Sequence, residues 1–214
     1  MSIPVPKNEV IRLKVLWQYE VLDTVPEEIF DDLTELAAHI CGAPMALISL
    51  VDEDRQWFMS KVGVNMTETP RHVSFCAHAI LNDSLFIVPD ATEDERFKNN
   101  PLVTKEPNIR FYAGAPLITP DGHALGTICV MDKVPRTLRS EQQQALRVLA
   151  HHVVTQLELR RHARELLQAH KNGNEKRTKL AKTETEIKKL RDEIARLKTR
   201  LRSATRKPAK KSRR

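Results

Sequence analysis

Cysteine, glycine and long apolar runs are all scarce in this chain, and each shortage removes a class of protein. The three cysteines, Cys41, Cys76 and Cys129, are far apart and form no CxxC pair. That fits reduced thiols in a cytosol better than a disulfide framework. No apolar run approaches the roughly 20 residues of a membrane span, and the opening MSIPVPKNEV lacks the apolar centre of a signal peptide. The sequence therefore reads as that of a soluble, cytoplasmic protein. Only six glycines occur, and none sits in a phosphate-cradling loop; a nucleophile elbow and an HExxH pair are also missing.

What is there is enough for one domain and an appendage. Of 214 residues, 41% are hydrophobic, which can bury a real core. The net charge of +7 hides a division. Positions 1–170 carry 17 Lys+Arg against 23 Asp+Glu, a net −6, whereas positions 171–214 carry 18 against 5, a net +13. The basic character belongs to the last fifth of the chain.

In chain order, Asn8 is placed to cap a first helix reaching about Glu20, with Val10, Leu13 and Trp17 on one side. Thr24 and Glu27 form a capping-box pattern ahead of a second helix whose stripe is Ile29, Leu33, Leu36 and Ile40, ended by Gly42. The run Met45 to Val51, the turn Asp52, Glu53, Asp54 and the run Gln56 to Val62 read as a β-hairpin. Ser74 can cap a short helix to about Leu81, and Phe86 to Val88 is a small strand. Positions 91–107 read as a loop with one helical turn. Pro120, Asp121 and Gly122 join two strands, Ile109 to Thr119 and Ala124 to Asp132. Gly114 and Gly126 lie inside these strands, which signals that something packs closely there. Ser140 and Gln143 open a last helix through Leu146, Leu149, Val153 and Leu157 to about Gln168. Hairpins mixed with helices give an α+β domain with a largely antiparallel sheet.

The stretch Arg71 to Ile80, RHVSFCAHAI, concentrates Arg71, Ser74, Phe75, Cys76 and His78 between strand-like runs. Trp57, Asp90, Arg110 and Tyr112 stand at strands or strand ends, as orienting groups of a mostly apolar pocket would. The competing reading makes Trp57 and Tyr112 core aromatics and pairs Arg110 with Asp90 at the surface. Cys76, at the start of a capped helix near Arg71 and His78, is a candidate thiolate, although most buried cysteines are small hydrophobes. Cys76, His78 and Cys129 are conceivable metal or haem ligands, but a single Cys-x-His pair falls short of a closed zinc site.

Several segments together resemble the GAF domain, a sensory and regulatory module: LDTVPEEIFDDLTELAAHICGAPMALISLVDEDRQWF, VSFCAHAIL, VPDATEDERFKNNPLV, IRFYAGAPL and LGTICVMD, spanning Leu22 to about Arg161. The resemblance implies an antiparallel sheet flanked by helices with a pocket on one side. It implies a ligand-binding or dimerising module and leaves any cofactor unknown, since members bind cyclic nucleotides, haem, bilins or nothing known. The chain lacks a matching bilin-attachment motif. It also lacks the glycine-rich cysteine segment of the free methionine sulfoxide reductase, which shares the fold.

Beyond Asn172, Gly173 and Asn174, which interrupt helical propensity, Leu180, Ile187, Ile194 and Leu201 recur every seven residues, with Thr183, Leu190 and Leu197 between them. Ile at a and Leu at d favour a parallel two-stranded coil. The flanking pairs Lys179 with Glu184, Glu186 with Arg191 and Glu193 with Lys198 are opposite in sign. After Glu193 no acidic residue follows, and positions 198–214 hold nine Lys+Arg. Such a run stays disordered alone and suits nucleic-acid phosphate, anionic lipid or no dedicated partner.

The expected organisation is an N-terminal helix over 1–21, a GAF-like domain over 22–170, a coiled coil over 175–202 and a basic disordered tail over 203–214. With no output domain after residue 170, the sequence reads as a stand-alone, non-enzymatic sensory and regulatory homodimer that binds a small ligand. The alternatives are a thiol-based redox sensor or reductase using Cys76, and a nucleic-acid-associated structural dimer.

Overall fold

The computed structural model describes residues 5–205, with the side chains of α5 (Ser140–Thr205) described as far as 189 and at 191, 192, 195 and 196. The elements run α1 (Glu9–Gln18), α2 (Glu28–Cys41), β1 (Met45–Val51), β2 (Arg55–Val62), β3 (Glu68–Pro70), a 3-10 turn (Arg71–Val73), α3 (Phe75–Ala79), β4 (Phe86–Val88), α4 (Pro101–Thr104), β5 (Phe111–Ile118), β6 (Ala124–Asp132) and α5. The six strands form one sheet in the order β3-β2-β1-β6-β5-β4, antiparallel at every pairing. This is the α+β architecture expected from the sequence.

Because strand side chains alternate between faces, the sheet separates two apolar cores. On one face Ile48, Leu50, Ile128 and Val130 meet Phe30 and Ala37 of α2 and Leu146, Val153 and Leu157 of α5. On the other, Leu47, Cys129 and Met131 meet Phe75, Cys76 and Ile80 together with Phe97 and Val103 of the long connection after β4.

Both N-terminal helices turn a different face inward from the one their large apolar residues suggest. In α1 the buried set is Arg12, Leu13 and Leu16, while Val10 and Trp17 are exposed. Glu9 makes this possible: its carboxylate accepts bonds from Arg12 Nε at 2.8 Å and Nη2 at 2.7 Å, so the cation is neutralised where it is buried. In α2 the inward residues are Phe30, Thr34, Ala37, Ala38 and Cys41, a stripe that lets the helix lie close to the sheet. Ile29 and Leu36 are exposed, whereas Leu33 and Ile40 border the core. Thr24 does not cap α2; its hydroxyl donates to the Val21 carbonyl at 2.9 Å, and Glu27 pairs with Arg160. Gly42 ends the helix in the left-handed region at φ 59°, as a C-terminal glycine does.

The chain divides into one compact unit up to Arg161 and a second from His162. α5 continues without a break through Asn172, Gly173 and Asn174, and Ser203–Thr205 still belong to it. Glycine and asparagine cost a helix interior only about 1 kcal/mol or less each, which a helix of 66 residues absorbs. Leu180 and Ile187 are exposed. The heptad side chains of Leu190, Ile194, Leu197 and Leu201, and the tail from 206, lie outside the described residues. No described helix is long and apolar enough to cross a membrane.

Candidate functional site

The face of the sheet away from α5 carries a buried sulfur and hydroxyl cluster. Ser74 caps α3, its Oγ accepting the Ala77 backbone N–H at 3.0 Å and donating to the Gln56 side-chain oxygen. This cap seats the first turn of α3 over the sheet and puts Cys76 against its centre. Cys76 Sγ lies 3.0 Å from Thr127 Oγ1, 3.2 Å from the Tyr112 hydroxyl, 3.3 Å from Ser49 Oγ and 3.9 Å from Cys129 Sγ. All five side chains are buried. Register explains the meeting, because Ser49 of β1 pairs with Thr127 of β6 and Cys129 pairs with Gly114 of β5.

The two strand glycines make the cluster possible. Tyr112 and Gly114 share a face of β5, and the tyrosine ring crosses the glycine: a Cβ there would stand 2.7 Å from Tyr112 Cζ and closer still to its hydroxyl. Gly126 lets β6 approach β1, where a Cβ would come within 2.8 Å of Leu50 Cα and nearer still to the Ser49 carbonyl oxygen.

Electrostatically the cluster is unusual because no cation bonds to it among the described residues. Burial pushes the Cys76 thiol up, but the donors Cys129, Ser49, Thr127 and Tyr112 together pull it below the usual thiol range. Donation to the same sulfur keeps Cys129 protonated, holding it well above the usual thiol range with burial adding to the effect. Burial and the neighbouring thiols raise the Tyr112 phenol as well. One proton acceptor therefore sits among four donors.

Beside the cluster is a cavity of about 30 Å³, lined by Gln56, Thr69, Phe75, Cys76, Tyr112 and Met131 among others. It has room for about two water molecules. The Thr69 hydroxyl at its wall is buried and has no hydrogen-bond partner among the described residues. Next to it runs an aromatic stack. Phe75 lies 4.1 Å from Phe97 and 5.2 Å from Tyr112, centroid to centroid, His78 meets Phe97 edge-on at 4.8 Å, and the Arg96 guanidinium covers Phe86 at 4.8 Å. Burial, then the Arg96 charge, depress the His78 imidazole.

Of the residues singled out from the sequence, the structure brings together Phe75, Cys76, Tyr112 and Cys129, with Ser74 one bond away through Gln56 and His78 in the adjoining aromatic stack. The other four stand elsewhere. Trp57 faces the α2 side of the sheet, where it lines a cleft of about 490 Å³ with Asp31 and Glu35. Arg71 anchors α1, donating from Nη1 to Glu9 at 2.6 Å and to the Asp52 carbonyl at 2.9 Å. Asp90 holds its own turn through Thr92, and Arg110 donates to the Val103 carbonyl at 2.8 Å, with no hydrogen bond between the two. Ser49, Thr127, Gln56 and Thr69 belong to the site and were not apparent from the sequence. Gly126 beside Thr127 was the one signal pointing to them.

Comparison with known proteins agrees with this architecture. The chain is 44% identical over 143 residues to a cyclic di-GMP phosphodiesterase of Pseudomonas aeruginosa, a match covering 67% of this chain and 24% of that protein. The chain thus spans about a quarter of that relative's length. Among solved structures, the GAF domain of a phosphoenolpyruvate-protein phosphotransferase from Coxiella burnetii is 18% identical, with a TM-score of 0.54 over 74% of this chain and 98% of that one. A type II free methionine-R-sulfoxide reductase from Thermoplasma acidophilum is 11% identical, with a TM-score of 0.51 over 61% of this chain and 90% of that one. Both likenesses are of fold. The family model for the GAF domain matches residues 25–157, which cover the sheet, α2 to α4 and the first part of α5, and the chain belongs to the GAF domain family, a family of signalling and regulatory modules.

Proposed function

We propose that this chain is a non-enzymatic sensory module that takes a small ligand into the cavity beneath α3 and acts as a dimer through α5. The observation that carries the ligand reading is the Thr69 hydroxyl, buried at the wall of an otherwise mostly apolar cavity without a protein partner among the described residues. A polar group left so is destabilising unless something else bonds to it. Apolar walls with a few orienting polar groups are the usual make-up of a ligand site. Met45, Met66 and Met131 line the same cavity, and flexible methionines allow its walls to repack around a guest. The likeness to part of a cyclic di-GMP phosphodiesterase supports a regulatory role in cyclic di-GMP signalling.

The dimer reading rests on the exposed Leu180 and Ile187 at a positions of the heptad pattern, which a second copy would bury. The basic segment 198–214 is the output surface, and nucleic-acid phosphate is the partner of fitting charge. Native mass spectrometry of protein purified from its own source tests ligand and dimer together. The expected spectrum is a dimer carrying a bound small molecule, with ligand lost from Thr69→Val and dimer lost from Ile187→Lys. A bare monomer at micromolar concentration in the unsubstituted protein would refute both readings.

A further inference from the structure

The geometry points to Cys76 and Cys129 as a peroxide-reactive thiol pair that closes to a disulfide inside the fold. This goes beyond ligand sensing and does not depend on it. Three observations support it. The two sulfurs are in contact at 3.9 Å, between α3 and the centre of β6, so a local approach rather than unfolding is what separates them from a bond of about 2 Å. The hydroxyls of Ser49, Thr127 and Tyr112 all donate to the Cys76 sulfur at 3.3, 3.0 and 3.2 Å, which marks it as the attacking sulfur and leaves Cys129 as the resolving thiol. Cys76 lines the cavity of about 30 Å³, which without any repacking of its walls has room for a molecule with two oxygen atoms.

The chemistry closes with hydrogen peroxide as oxidant. The Cys76 thiolate attacks one peroxide oxygen and the O–O bond breaks. The departing hydroxide takes a proton relayed through the surrounding hydroxyl network, replacing the one Cys76 released on ionising, which gives water and a Cys76 sulfenic acid. Cys129 then attacks the sulfenic sulfur, its thiol proton leaves with the displaced hydroxyl as a second water, and an S–S bond forms. Two thiols are oxidised by two electrons and one peroxide is reduced to two waters. The donors around Cys76 serve the first step by holding the anion and by returning a proton to the leaving oxygen. Disulfide formation then removes the anionic acceptor to which they were bonded, so the oxidised cluster differs from the reduced one in hydrogen bonding as well as in covalent structure.

Trypsin places the three cysteines on separate peptides, 15–55 with Cys41, 72–96 with Cys76 and 111–133 with Cys129. The full-length reduced protein is treated with a tenfold excess of hydrogen peroxide, quenched, alkylated and digested without reductant. The expected product is peptide 72–96 joined to 111–133, with 15–55 alkylated and the link reversed by dithiothreitol. A bulky aromatic disulfide reagent should leave Cys76 unmodified in the folded protein under the same conditions. In Cys129→Ser, checked for folding by its unchanged circular dichroism, Cys76 should accumulate as a dimedone-trappable sulfenic acid. Thiols that all remain alkylatable, oxidation of Cys41 ahead of Cys76, or a Cys76 sulfinic acid formed with Cys129 still free would each overturn the proposal.

Discussion

An alanine at Gly114 would put its Cβ 2.7 Å from Tyr112 Cζ, closer than carbon atoms tolerate, and 3.0 Å from Cε1. The clash is with the outer part of a side chain, which elsewhere would swing aside at little cost. Here the ring is fully buried, stacked on Phe75 at 5.2 Å, and its hydroxyl is bonded to Cys76 at 3.2 Å. Forcing an extra methyl into a filled core costs about 1–3 kcal/mol, and leaving a buried hydroxyl or its acceptor unpaired adds about 1–3 kcal/mol. Against this, alanine restricts the unfolded chain and returns about 0.4–1 kcal/mol. The expected net loss for Gly114→Ala is about 3 kcal/mol, read as a lowered urea midpoint with an unchanged slope. Tyr112→Phe removes the atom that clashes most closely, so its cost and that of Gly114→Ala should not add. The double variant is expected to be more stable than the sum of the single losses predicts. A Gly114→Ala protein within about 0.5 kcal/mol of the unsubstituted chain, or strict additivity in the double variant, would refute the picture of a ring held across the glycine.

Two further outcomes follow from charges. Burial raises the Glu9 carboxyl, but the bonds from Arg12 and Arg71 outweigh it and lower it overall; a carboxyl depressed in the folded state stabilises above its unfolded value near about 4.3 and loses that contribution as pH falls through the folded one. Glu9→Gln, which strips the counter-charge from two buried arginines, should therefore cost about 3–5 kcal/mol at pH 7, with the gap to the unsubstituted protein in urea titrations closing below about pH 4; a gap independent of pH would argue against the ion triad. Removing 199–214 deletes eight of the nine Lys+Arg found in 198–214 and should abolish DNA binding in an electrophoretic shift assay. Full-length binding should fall steeply with salt, by up to about 0.9 in log K per log salt for each phosphate neutralised, and binding that survives truncation would rule the tail out as the contact.

Several elements were legible from local chemistry, although the Thr24 and Glu27 cap was not borne out. Pro120, Asp121 and Gly122 specified a hairpin, Ser74 a cap and Gly42 a stop, and all three act within a few residues of themselves. The inward faces of α1 and α2 were not legible, because counting large apolar residues gives Arg12 and Ala37 no weight. Arg12 is inside because Glu9 neutralises it, and Ala37 is inside because a helix lying close to a sheet needs small residues at the contact. Trp57 shows the same limit in a strand: its type suited a pocket, but register places it on the α2 side. The cluster around Cys76 was half visible. Cys76 and Tyr112 stood out by type, whereas Ser49 and Thr127 are ordinary strand residues that acquire meaning only through the β1 to β6 register, 78 positions apart.

That register also decides where a change at the cluster is absorbed. Ser49 lies between Ile48 and Leu50, and Thr127 and Cys129 flank Ile128, so the strands that carry the sulfur cluster on one face carry the seat of α5 on the other. Between the two faces there is only backbone. At Gly126 the strands are too close for even a Cβ, which leaves them no slack to slide past one another. The central strands β1 and β6 are hydrogen-bonded on both sides, while α3 is a five-residue helix with one side-chain cap. Local openings are drawn from the elements with the fewest such constraints. Closing the gap between Cys76 and Cys129 from 3.9 Å to about 2 Å therefore moves α3 rather than the sheet. Its consequence falls on the cavity wall formed by Phe75 and Cys76, and the packing of α5 on the opposite face is left in place.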